Sequence, residues 1–121
     1  MRDIRFRAWV RFLRVIRVVD QLNSNGSAMI EDYKYCIESE AFDLMQFTGL
    51  KDRNGVEIYC GDIISDHNGL GVVKYSENHG AFRVVYSDGV AKWFIDYTLN
   101  GERESIEVIG NIYENPELIG G

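Results

Sequence analysis

Residues 46–64, QFTGLKDRNGVEIYCGDII, constrain the fold more than any other stretch of the chain. Phe47 leads into Thr48-Gly49-Leu50, and the polar run Lys51-Asp52-Arg53-Asn54-Gly55 ends in Asn-Gly. That pair suits a type I′ hairpin turn, because both residue types tolerate positive φ. Val56-Glu57-Ile58-Tyr59 and then Gly61-Asp62-Ile63-Ile64 supply the strands that follow. The stretch predicts a buried antiparallel hairpin and shows no chemistry.

The same punctuation continues downstream. Turn signals at Asp66-His67-Asn68-Gly69, Ser76 to Gly80, Ser87-Asp88-Gly89 and Asn100-Gly101 separate short apolar runs. Those runs are 62–65, 71–75, 81–86, 90–97 and 105–113. Spacing of about 8–12 residues between turns marks an all-β barrel or sandwich. Glycine is frequent, at 12 of 121 residues, and proline occurs once, which fits many tight turns between strands. The reading is a mainly β protein of antiparallel strands with short helices at most. It has a β-rich N-terminal arm or lobe over 1–45 and an SH3-like barrel or curled sheet over 46–121. Its core is expected to include Phe47, Leu50, Ile58, Ile63, Val72, Val84, Trp93, Ile95, Val108 and Ile112.

In the N-terminal lobe, Ile4, Phe6, Ala8 and Val10 alternate with Arg5, Arg7, Trp9 and Arg11, the pattern of a half-buried strand. The run Phe12 to Val19 breaks the alternation. Arg11, Arg14 and Arg17 recur every third residue, which is compatible with a helix. The β-branched residues between them favour a strand with a bulge near Leu13. Asn23 to Ser27 reads as a turn, Ala28 to Ile37 as a second strand, and Glu38 to Leu44 as a helical turn with Ser39 as N-cap. Near the C-terminus, Asn115 is placed to cap a short turn at Pro116.

Three segments carry a family resemblance: MRDIRFRAW at the start, QFTGLKDRNGVEIYCGDII in the middle and EVIGNIYENPEL at the end. In order and spacing the chain resembles the YopX family of phage and prophage proteins. It departs from the family after Trp9, where a polar turn is usual and this chain runs on as VRFLRVIRVV. The resemblance implies a small phage-encoded protein without established biochemical activity and with a tendency to assemble. It supplies no catalytic residues.

The residues themselves point away from catalysis. Asp62 follows a glycine ahead of a buried strand, but only Asp66 and His67 lie near it, across a turn. Its expected work is to accept backbone amides. Cys36, Cys60, His67 and His79 lack the close pairs that preform a zinc site, so they read as two core thiols and two loop histidines. No cofactor or metal is expected. The N-terminal stretch lacks the continuous apolar region of a signal peptide, and no run is long enough for a membrane span. A reduced, cytoplasmic location in a host cell is expected.

Charge is the remaining clue. The net charge is −6, yet residues 1–22 hold six arginines against Asp3 and Asp20. Arg5, Arg7, Trp9, Arg11, Arg14 and Arg17 form the candidate interface. Guanidinium groups pair in bidentate fashion with carboxylates, which suits contact with a second copy through Glu102, Glu104, Glu107, Glu114 or Glu117. The same arginines beside Trp9 would suit phosphates and bases, so nucleic acid is the alternative partner. Pairing within the chain, or an acidic surface offered to a host protein, are the other two readings.

Overall fold

A computed structural model of the chain describes residues 5–94 and 105–120. The described residues form antiparallel β-strands with 3₁₀ turns at Ser39–Ala41 and Pro116–Ile119, and the chain divides into two compact units, residues 1–47 and 48–121. Among the described residues no helix is long and apolar enough to cross a membrane.

The first unit begins with β1 (Phe6–Val10), β2 (Val15–Leu22), β3 (Ala28–Ile30) and β4 (Tyr35–Ile37). A 3₁₀ turn at Ser39–Ala41 leads into β5 (Phe42–Lys51), which carries the chain into the second unit. The order β4-β3-β2-β1-β5 places β1 in the middle, paired with β2 and β5. The alternation read in β1 holds: Ala8 and Val10 are buried, and Ala8 packs with Ala28 and Phe42 beside Val19 and Ile37.

Three sequence expectations fail in this unit. VRFLRVIRVV is not one bulged strand. Arg11 to Arg14 form a reverse turn closed by the Arg14 amide donating to the Val10 carbonyl at 2.8 Å, so β1 and β2 make a hairpin. The turn falls where the family pattern has one, but uses Phe12 and Leu13, with Arg14 at φ 55°. The actual bulge lies at Asp20, between the Val19 and Gln21 pairs. Ala28 to Ile37 is likewise two strands, broken by Glu31, Asp32 and Tyr33 at φ 54°, 58° and 67°. Ser39 sits inside its 3₁₀ turn; Glu38 occupies the N-cap, without a side-chain cap bond.

In the second unit β5 ends against β6 (Glu57–Tyr59), with Thr48 Oγ1 donating to the Ile58 carbonyl at 2.8 Å. The intervening turn is not type I′. Only Gly55 has positive φ, at 81°, and its amide donates to the Asp52 carbonyl at 3.0 Å. This is a type I turn followed by a left-handed glycine, the three-residue hairpin solution. Five more strands follow: β7 (Asp62–Asp66), β8 (Gly69–Ser76), β9 (Ala81–Tyr86), β10 (Ala91–Trp93) and β11 (Glu107–Asn111). They form a sheet in the order β10-β9-β8-β7-β11. Its described strands do not close on themselves, so of the barrel or curled sheet expected the closed barrel is not seen. A 3₁₀ turn, Pro116–Ile119, follows β11. Asn115 stands at its N-cap, but its Oδ1 accepts the Asn111 amide.

The core of this unit joins Ile58, Ile64, Val73, Phe82, Val84, Tyr86, Phe94 and Ile106, with Leu50, Cys60 and Val108 against it. Of the expected core, Phe47, Ile58, Ile63, Val72 and Val84 are buried, while Trp93 and Ile112 are half-buried. Ile95 lies outside the described residues. Gly71 makes this packing possible. A Cβ there would collide with Val84 Cγ1 and press on Tyr86 Cδ1 at 3.2 Å.

Candidate interaction surface

The hairpin sorts the six candidate residues. In register, Trp9 lies between Ile16 and Asp43, and Arg7 between Val18 and Met45. Arg5, Arg7, Trp9 and the start of the turn at Arg11 therefore share one face, as the alternation predicts. Arg5 lies over the Phe47 ring, 4.4 Å from its centroid. Arg17 is opposite Ala8 and so starts from the other face. Arg14 belongs to the turn and is exposed. The structure thus brings four of the six together and separates Arg14 and Arg17 from them.

Among the described residues, Arg11 and Arg17 hold carboxylates of the same chain. Arg11 grips Asp43 in bidentate fashion, Nε to Oδ2 at 3.0 Å and Nη2 to Oδ1 at 2.6 Å, and donates through Nη1 to the Glu40 carbonyl at 2.6 Å. Arg17 Nε donates to Glu31 Oε1 at 2.9 Å. Neither Asp43 nor Glu31 is one of the expected acidic partners. Glu107 instead takes Arg53 at 2.6 Å, and Arg53 with Asn54 holds its carboxyl below the ordinary value. Glu114 accepts the Asn111 amide side chain at 2.8 Å. Glu102 and Glu104 lie outside the described residues.

The sequence reading placed the apolar residues of VRFLRVIRVV along a strand; the structure puts Phe12 and Leu13 at the tip of a hairpin. Phe12 is 69% and Leu13 51% exposed, and Val18 on β2 is 68% exposed. Turn tips are ordinarily polar or glycine-bearing, so two adjacent large apolar side chains there are out of place for a free surface. Arg11, bonded to Asp43 and Glu40, fixes the base of the tip to β5 and the 3₁₀ turn before it.

The groups considered for chemistry have structural employment. Asp62 is buried and accepts the Tyr59 amide at 2.7 Å, the role expected of it. Asp66 accepts the Tyr86 hydroxyl at 2.6 Å and the Asn68 amide at 2.7 Å. His79 shares a 2.9 Å hydrogen bond with Ser76 and meets Trp93 edge-on at 5.0 Å. Cys36 is exposed on β4 rather than in the core, and Cys60 is half-buried. Among the described residues no three His, Cys, Asp or Glu side chains cluster as metal ligands would.

The family model described as YopX protein matches residues 5–120, nearly the whole chain. The chain belongs to the YopX protein family. This YopX family member is also similar to a solved structure, the crystal structure of protein EF1440 from Enterococcus faecalis. The two are 28% identical with a TM-score of 0.67, over 98% of this chain and 99% of that one. No curated protein matches.

Among the described residues of this YopX family member, two apolar surfaces stand out. One is the Phe12–Leu13 tip. The other lies in the second unit, on the face of β8 and β9 opposite the core. There Leu70, Val72, Lys74, Val85 and Ser87, with Leu118 and Ile119 of the terminal 3₁₀ turn, line a groove of 420 Å³. Lys74 stands opposite Arg83, which lies opposite Trp93 at 5.9 Å from its ring.

Proposed function

We propose that this protein is a non-enzymatic accessory protein of phage or prophage origin that works in the host cytoplasm by protein contact, above all with further copies of itself. The observation that carries the reading is the exposed Phe12–Leu13 tip on a hairpin braced by Arg11. Burying a Phe or Leu side chain contributes about 1.5–3 kcal/mol each. A part-exposed ion pair such as Arg11–Asp43 contributes under ~1 kcal/mol. The energy of assembly therefore resides in the apolar tip, and the arginines orient it.

Nucleic acid is the weaker reading. Arg11 and Arg17 of the N-terminal stripe already hold carboxylates. The row Lys74–Arg83–Trp93 is its remaining support, within a chain of net charge −6. A mobility-shift titration tests it, because phosphate contacts weaken steeply as salt rises.

Light scattering behind size exclusion at micromolar concentration tests the first reading. The wild-type chain is expected to run as an assembly. The double variant Phe12→Ser, Leu13→Ser is expected to run as a monomer with unaltered melting. A monomeric wild-type chain overturns the reading.

A further inference from the structure

Resting on that reading, we infer that the tip of one copy docks in the groove of the second unit of another, so that the contact joins unlike patches. The groove is concave and mostly aliphatic, with Leu70, Val72 and Val85 on the sheet and Leu118 and Ile119 on the 3₁₀ turn. Its 420 Å³ lies in the range of about 300–1,000 Å³ that takes up compact apolar groups. Leu118 and Ile119 are themselves exposed large apolar side chains, as are Phe12 and Leu13. Each patch is apolar, and the convex one answers the concave one.

Charge separates this pairing from tip-to-tip contact. Arg14 stands exposed beside Phe12 and Leu13, so two tips meeting would oppose like charges. At the groove, Glu117 immediately precedes Leu118 in the same 3₁₀ turn, and Asp88 follows Ser87; both are exposed. Lys74 lines the groove as well and rejects Arg14 from its own side, so the charges give the docked tip one orientation.

Mixing two defective copies tests this. The tip variant is Phe12→Ser, Leu13→Ser; the groove variant is Leu118→Asp, Ile119→Asp, at exposed positions where folding is spared, with melting curves confirming it. Each alone is expected to be monomeric, and together they are expected to form one-to-one pairs and nothing larger, through the single intact tip and groove. If the groove variant assembles as the wild type does, the docking site is overturned while assembly through the tip stands. If both variants are monomeric and the mixture stays monomeric, an intact tip on one copy does not dock in an intact groove on another and the inference is overturned. A wild-type chain that never assembles overturns the underlying reading as well.

Discussion

The Asp52 carboxylate accepts the backbone amide of Val108 at 2.8 Å, fifty-six positions further along the chain. Its other oxygen accepts the Asn54 and Val56 amides at 2.8 and 2.9 Å, so one buried side chain shapes the turn after β5 and fastens it to β11. Burial alone would push this carboxyl up. The three amides, with Arg53 nearby, outweigh burial and hold it below its ordinary value. A carboxyl depressed on folding contributes stability that is complete above its unfolded value and is lost as pH falls through the lower folded value. Denaturant melts should show this acid-side loss in the wild type, below about pH 4. In Asp52→Ala that pH-dependent part should be absent, with stability at neutral pH lower by about 1–3 kcal/mol.

Asp20 works in a similar way in the first unit. Its Oδ2 accepts the Tyr33 amide at 3.1 Å and its carbonyl accepts the Tyr33 hydroxyl at 3.3 Å. These bonds hold the left-handed turn between β3 and β4. L-residues in that conformation cost about 1–2 kcal/mol each, less for Asp. Asp32→Gly, whose side chain is exposed, should therefore raise stability by about 0.5–1 kcal/mol in chemical denaturation. Asp20→Ala should lower it by about 1 kcal/mol.

Gly71→Ala places a methyl group against Val84 and Tyr86 in the core of the second unit. Overpacking of this kind costs about 1–3 kcal/mol. The measured loss should exceed that of Gly69→Ala in packing terms but not in backbone terms. Gly69 has open space around its Cα but a φ of 112°, so its cost is conformational alone.

The two thiols should differ in reactivity. Cys36 is exposed on β4, whereas burial, then Asp62, pushes the Cys60 thiol up despite the Tyr75 backbone bond. A thiol titration of the native protein should label Cys36 about tenfold or more faster than Cys60, and denaturation should equalise them.

Much of this fold was legible in the sequence. The strands after Phe47 are bounded by glycine-bearing turns, and Gly61, Gly80 and Gly89 take the positive φ that makes such turns readable. β1 was legible because one of its faces is buried and the other is not. The β1–β2 turn was hidden because Phe12 and Leu13 carry no turn signal and Arg14 adopts a left-handed backbone without being Gly or Asn. Missing that reversal also misplaced Arg17, since the hairpin register of Ala8 with Arg17 resets which residues share a face. The break between β3 and β4 was hidden for the same reason. The groove was not legible because β8 and β9 each carry a valine on both faces, Val72 beside Val73 and Val84 beside Val85, so alternation there did not separate the groove side from the core side. The ion pairs were not legible: Arg11 and Arg17 hold Asp43 and Glu31 of the same chain, which became their neighbours only through the hairpin and the left-handed turn.

The run Glu31-Asp32-Tyr33 sits at the surface, where sequence ordinarily drifts freely. Its backbone refuses that freedom: β-branched residues such as Val or Ile cannot settle at these dihedral angles. In a lineage, these three positions should admit Gly, Asn and Asp readily and exclude Val and Ile, so that an exposed loop keeps as narrow an alphabet as a buried strand.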